Sequence, residues 1–260
     1  MTKVIEIARY IEKLCPLNLA CEWDNVGLLV GDENADVSKV LICLDNDENV
    51  TSEAIELGAD MIISHHPIMF SPINRLTEDN PQQRMIRRMC ENGICHYAAH
   101  TNMDCAIGGL NDYLTSVLGF SNAEIFEKTS DNAGFGRYVE LAEEKTLSEI
   151  ITLCKQKLNL PLVSYVGQMD KKIKTIVVNS GSGSSALDKC IAEKVDLLIT
   201  GDIKYNVARD AAENNVALID AGHYGTEIVF TSLVKDYLEK EFGDVEFVIS
   251  KANVSTIKMA

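Results

Sequence analysis

Four of the chain's five histidines stand in three short clusters, two of which pair the histidine with a carboxylate. His65 and His66 are adjacent in SHHP, His100 and Asp104 lie at i, i+4 in HTNMD, and His223 and Glu227 lie at i, i+4 in GHYGTE. At the end of an extended strand, adjacent side chains point to opposite sides. Two metal ions could each take one of His65 and His66, whereas a single ion could not easily take both; the bland alternative is two histidines facing solvent. If His100 and His223 each end a strand and the acid begins the next turn or helix, imidazole and carboxylate reach one point. Carboxylate adds hard oxygen and offsets part of the cation charge. Two dications held by neutral imidazoles and two carboxylates leave a net charge of about +2. Such a site brings the pKa of bound water towards ~7 and supplies a nucleophile near neutral pH.

Other polar groups gather nearby in the sequence. His100 either ligates, as its counterpart His223 would, or stands behind the ligands as a base that orients Asp104 or water; the second role is preferred. His96, inside an apolar run, reads as a packed or hydrogen-bonded histidine. NSGSGSS (179–185) precedes a helix and resembles a phosphate-cradling loop, with Ser182 a candidate substrate contact; it lacks the glycine and lysine pattern of a nucleotide loop, and a plain strand-to-helix turn is its alternative. Lys204 and Tyr205 in GDIKYN are further candidates for holding an anionic substrate. Trp23, the only tryptophan, and Asp24 read as a packed aromatic beside a capping carboxylate.

The elements that must position these groups alternate. Apolar positions at helical spacing predict a helix over 3–15, ended by Pro16. Strand-like runs follow at 26–31 and 40–45, then a helix at 50–59, a strand at 60–66, a helix at 81–93, a strand at 94–100 and a helix at 107–118. The segment 121–172 changes character, with a strand at 136–143, a helix at 146–159 and a strand at 162–167. Alternation resumes with strands at 175–181, 196–202, 216–223 and 245–250 and helices at 184–194, 205–214 and 226–241. This pattern predicts an α/β protein with mainly parallel sheets. LICLDNDENVTSEAIELGADMIISHH also matches TIVVNSGSGSSALDKCIAEKVDLLITGD almost element for element, which points to two related α/β lobes. The expected division is 1–128, carrying His65, His66 and Asp104, and 129–260, carrying His223 and Glu227, the last strand being a candidate to return to the first lobe. All the polar clusters then fall just past the C-terminal ends of parallel strands, where open α/β folds hold their ligands.

Composition narrows the partners. The chain carries 39 acidic against 24 basic residues, a net charge of −15. That field argues against nucleic acid and anionic membrane as partners. No apolar run approaches the ~20 residues of a membrane span, and the N-terminus shows no secretory signal, so a cytoplasmic protein is expected. The eight cysteines form no C-x-x-C pair and read as reduced core thiols.

EWDNVGLLVG, SHHP, HTNMD, SGSGSS, TGDIKYN and GHYGTE, in that order, resemble the dinuclear-metal-centre family of GTP cyclohydrolase 1 type 2 homologues, also called NIF-three-like proteins, in its short form. The resemblance runs over essentially the whole chain. It implies His65, His66, Asp104, His223 and Glu227 as ligands of two divalent ions between two α/β lobes, zinc or iron first, with manganese or nickel compatible. It also implies a toroidal homohexamer. Asn206 departs from the pattern, where a histidine is common, and would change the polarity of the pocket. The activity implied is metal-dependent hydrolysis of a small substrate such as a nucleotide, with metal-bound hydroxide attacking the guanine ring of GTP and His100 shuttling protons. The alternative is a non-catalytic metal-binding or regulatory hexameric interaction protein.

Overall fold

The computed structural model describes residues 1–258, and its elements follow from local sequence in a readable way. In chain order they are α1 (Val4–Leu14), β1 (Gly27–Val30), β2 (Lys39–Cys43), α2 (Glu48–Leu57), β3 (Met61–Ser64), α3 (Pro81–Glu91), β4 (Cys95–Ala98), α4 (Thr101–Cys105) and α5 (Leu110–Val117). There follow β5 (Glu124–Ser130), β6 (Ala133–Thr146), α6 (Leu147–Lys157), β7 (Ser164–Val166), β8 (Lys172–Val178), α7 (Leu187–Ala192) and β9 (Leu197–Thr200). The chain closes with α8 (Tyr205–Glu213), β10 (Ala217–Asp220), α9 (His223–Glu227), α10 (Phe230–Leu238) and β11 (Glu246–Ile249). α1 buries Val4, Ile7, Ala8 and Ile11, the stripe its periodicity predicts. Asp47 caps α2 by accepting from Val50 N, and Gly58 ends that helix at φ +62°, a left-handed position that suits glycine. Thr146 and Glu149 form a reciprocal capping box on α6.

The chain makes two compact units, residues 1–106 with 230–258, and residues 107–229. The first holds a five-stranded sheet ordered β1-β4-β3-β2-β11. Its β11, β2, β3 and β4 run parallel, and β1 joins β4 antiparallel. On one face Leu41, Cys43 and Ile62 pack with Val50 and Ala54 of α2 and Met85 and Met89 of α3. The second unit holds a six-stranded sheet ordered β5-β6-β8-β9-β10-β7. Only β8, β9 and β10 are parallel to one another. Its side chains alternate between two cores: Ile176, Val178, Leu197 and Ile199 face α6, while Val177 and Leu198 face Cys190 of α7 and Ala211 of α8.

The fold is therefore α/β, as expected, with two mixed sheets. The second sheet is more antiparallel than its sequence predicts, because the stretch near 125–135 is a β-hairpin, β5–β6, turning at Asp131–Asn132. The expected division at 128/129 lies inside β5, and residues 259–260 of the expected second lobe lie outside the described residues. The single helix expected over 226–241 is instead α9 and α10, on either side of the 229/230 boundary between the units.

Candidate metal centre

In the first unit β3 ends at Ser64, so His65 and His66 sit immediately past the C-terminal end of a parallel strand. His65 is fully buried, and its Nδ1 lies 2.8 Å from the Ala99 carbonyl. A carbonyl only accepts, so Nδ1 carries the hydrogen and Nε2 is the lone-pair nitrogen. The Nε2 side faces Asp104, whose Oδ1 is 3.7 Å away. His66 is held the same way, with Nδ1 2.7 Å from Oδ1 of Asp45, just past the end of β2. Ser64 Oγ donates to the His66 carbonyl at 2.7 Å and accepts from Nε2 of buried His96 at 2.9 Å. His96 thus braces the turn that carries the histidine pair, in line with its structural reading, and burial lowers its pKa to about 3.

His100 stands at the residue before α4, just past β4, and ring nitrogens of His65, His66 and His100 lie within 4.8 Å of one another. Its Nδ1 is 3.0 Å from both carboxylate oxygens of Asp24, and Oδ2 also accepts from Thr101 N and Oγ1 at 3.0 and 2.6 Å. Burial pushes the Asp24 carboxyl up, but the hydrogen bonds from His100 and Thr101 prevail and hold it at about 2. Trp23 and Phe70 stand edge-on to the His100 ring, with centroids 6.0 and 5.8 Å from it. Trp23 is 63 % exposed, so the packed tryptophan expected from sequence is in fact a surface one.

In the second unit His223 opens α9 just past β10, and its Nε2 is 2.9 Å from Oε2 of Glu227 one turn on. Its Nδ1 is 2.7 Å from Oδ2 of Asp202, past the end of β9. The Glu227 hydrogen bond, working against partial burial and helped by both carboxylate charges, raises the His223 pKa to about 9. Two carboxylates flanking one imidazole make a place for positive charge, which a proton or a cation can fill. Gly181, at φ +58°, leaves room for the acid, since a Cβ there would overlap Glu227 Oε1; a Cβ on Gly201 would overlap the Gly222–His223 backbone. Neither glycine was singled out from sequence, nor was Asp45; close approach to a ligand pair is not written in the local pattern of a glycine.

The structure therefore gathers His65, His66, His100 and Asp104 in one unit and His223 with Glu227 in the other. The donors fit a divalent metal: imidazoles whose second nitrogen is tied to a carboxylate or carbonyl, as metal-binding histidines have it, together with buried carboxylate oxygen. Ser182, Lys204 and Tyr205 are all exposed at the start of their helical segments. The loop around Ser182 is less open to an anion than its sequence suggests. The N–H groups of Asn179, Ser180, Gly181 and Gly183 already go to Ile199 O, Asn111 Oδ1, Thr226 Oγ1 and Thr200 Oγ1.

The family model described as Duf34/NIF3 (NGG1p interacting factor 3) matches residues 2–255. A Clostridium perfringens protein named GTP cyclohydrolase 1 type 2 homolog is 39 % identical over 255 residues, 96 % of each chain. The NGG1-interacting factor 3 of Saccharomyces cerevisiae is 32 % identical over 281 residues, covering 98 % of this chain and 96 % of its own. The crystal structure of the Staphylococcus aureus hypothetical protein SA1388 superimposes with a TM-score of 0.90 at 30 % identity, over 99 % of both chains.

Proposed function

Because this chain belongs to the Duf34/NIF3 family, we propose that it is a dinuclear-metal-dependent hydrolase acting on a nucleotide or other small substrate, with His65, His66, Asp104, His223 and Glu227 as its metal ligands. One observation carries the reading: Nδ1 of His65, of His66 and of His223 each donates to a fixed protein acceptor, which turns Nε2 into the ligating nitrogen. Asp104 and Glu227 add the carboxylate oxygens. Zinc or iron suits this set best, and manganese and nickel are compatible with it. When bound, such ions supply Lewis acidity and lower the pKa of water enough for it to act as a nucleophile near neutral pH.

The chain's own groups do the rest. Asp24 holds His100 by Nδ1, which leaves Nε2 as the atom at which a proton is held and passed on. Lys204, Tyr205 and Ser182 serve as further polar contacts for the substrate. GTP cyclohydrolase-type ring opening is the specific reaction we put forward, in keeping with the name of the Clostridium relative. The working assembly is a homohexamer in the cytoplasm; no helix among the described residues is long and apolar enough to cross a membrane.

The test is metal content per chain in wild type, His65→Ala and Glu227→Ala, read beside turnover of GTP and a panel of small phosphoesters. The expected result is near two ions in wild type, fewer in both variants, and activity lost with the metal. Metal-free wild type prepared without chelator overturns the centre. Bound metal with no turnover of any substrate moves the assignment to a metal-binding interaction protein, the class that the name of the yeast relative suggests.

A further inference from the structure

Phe70 belongs to two neighbourhoods at once. On one side its ring meets His100 and lies 6.4 Å from the ring of Trp23, at an interplanar angle of 34°. On the other it walls a cavity of about 620 Å³ whose lining includes Arg75, Gln82 and Gln83. That volume is in the range of small-ligand sites, which run to roughly 300–1,000 Å³. Both aromatic rings are well exposed, Trp23 at 63 % and Phe70 at 50 %. Exposed aromatic faces beside a polar cluster are uncommon on an unengaged surface and suit a flat, apolar partner.

The electrostatics of the cavity point to the sign of that partner. No carboxylate lines it, although the chain carries 39 acidic residues. Arg75 is its only charged lining residue. Arg84, Arg87, Arg137 and Arg209 each pair with a carboxylate, whereas Arg9, Arg75 and Arg88 pair with none among the described residues, and of these three Arg75 alone lines the cavity. Gln82 and Gln83 lie in the first turn of α3, an eleven-residue helix with no acidic residue in that turn. The partial positive charge of a helix start adds to the guanidinium. An exposed arginine at the cavity wall with no ion-pair partner is placed to meet an anion from outside.

We propose that Trp23, Phe70 and Arg75 form a recognition site for a planar heteroaromatic ligand bearing an anionic group. The ring rests on the two aromatic side chains, edge-on to His100, and the anion is taken by Arg75 at the first turn of α3. This deepens the hydrolase reading by assigning the residues that recognise its substrate and rests on that reading for its role in catalysis, but the binding step can be measured apart from the metal.

Trp23 is the only tryptophan, so its fluorescence reports this site alone. The full chain is titrated, with excitation at the red edge of tryptophan absorption, using guanosine 5′-monophosphate, guanosine, ribose 5-phosphate and nicotinate. The expected result is saturable quenching by the nucleotide, at least tenfold weaker binding of guanosine, and no quenching by ribose 5-phosphate. Arg75→Gln weakens the nucleotide at least tenfold and leaves guanosine unchanged; Phe70→Leu weakens both. Saturable quenching by nicotinate that Arg75→Gln abolishes supports the same site with a carboxylate in place of the phosphate. No saturable quenching by either anion, or anion affinities indifferent to Arg75→Gln, overturns the proposal. Metal content is measured on each sample. Quenching that survives in metal-free His65→Ala keeps this site even where the metal reading fails, and metal bound without quenching removes this site alone.

Discussion

In the run from β2 to β4, Asp60 opens the second strand and its Oδ2 accepts from Ser38 N, Ser38 Oγ and Lys39 N at 2.8, 2.7 and 3.0 Å. In the run from β8 to β10, Asp196 opens the second strand and its Oδ2 accepts from Lys174 N, Thr175 N and Thr175 Oγ1 at 2.9, 2.9 and 3.1 Å. Each run is bordered by a strand antiparallel to its last member, β1 on β4 and β7 on β10. At their C-terminal ends the runs diverge. The first shows His65-His66 after its middle strand, where the second shows Gly201-Asp202. Each also holds a His Nδ1 2.7 Å from an Asp 21 residues earlier: His66 with Asp45, and His223 with Asp202. The position that supplies an imidazole in one unit thus supplies, in the other, the carboxylate that orients the next imidazole. One scaffold yields a nitrogen-rich donor set and a carboxylate-rich one by changing side chains just past the strand ends.

The units also differ in what holds them. Arg137 of β6 is 1 % exposed and grips Asp112 with Nε and Nη2 at 2.7 and 2.9 Å, while Nη1 takes the Gly134 and Gly136 carbonyls. Asp112→Ala removes the carboxylate that grips the buried guanidinium with two hydrogen bonds. Removing one partner of a buried pair costs about 3–5 kcal/mol, and partial exposure of Asp112 puts this case near 3 kcal/mol. Hydrogen exchange should lose protection in β6 and β8 and keep it in β2 and β3. Equal loss in both sheets would mean that the units do not unfold separately.

The shared Asp–His pairs give the next largest effect. Asp45→Asn and Asp202→Asn each keep the shape and remove the charge that orients the ring. Losing such a partner typically costs 10- to 100-fold in metal affinity, about 1.4–2.7 kcal/mol. Titration with zinc against a competing chelator measures it. Loss in one variant alone would break the equivalence of the two pairs.

His96 has no counterpart in the second unit. Its pKa is lowered to about 3 from an ordinary 6.5 because burial penalises the charged ring. Between those values the unfolded chain binds a proton that the native chain refuses. Stability is therefore full above pH 6.5 and falls as pH drops, by at most about 1.4 kcal/mol per pH unit from this group. Urea midpoints followed by exchange in β3 and β4 should fall from pH 6.5 to 5, and His96→Gln should flatten that slope. An unchanged slope in the variant would assign acid sensitivity to other groups.

Much of this was legible in the sequence because strand and helix periods are local. The amphipathic stripe of α1, the helix α3 and the buried strands β2, β3, β8 and β9 are all expected near their observed bounds. The hairpin β5–β6 was not: EIFEKTS alternates weakly and is largely exposed, so its pairing is decided by β6 rather than by its own apolar content. Histidine and carboxylate spacing marked the clusters, since His223 and Glu227 are one helical turn apart. The oriented partners Asp24 and Asp45 come from other elements, and only the folded register brings them to the rings.

The glycines make the finest test of that last point. Gly58 and Gly181 share a left-handed φ, +62° and +58°, but nothing lies within 4 Å of a Cβ placed on Gly58, whereas one on Gly181 overlaps Glu227 Oε1. Alanine at either position carries the backbone strain of a left-handed residue, about 1 kcal/mol. Gly58→Ala should therefore lower the melting point slightly and leave zinc binding untouched. Gly181→Ala should cost a similar amount of stability and also weaken zinc binding about tenfold, since displacing a ligand's carboxylate resembles losing the group that orients it. If both variants bind zinc like wild type, the carboxylate of Glu227 is not where the metal is held, and the His223–Asp202 pair loses the partner that would make it a metal site.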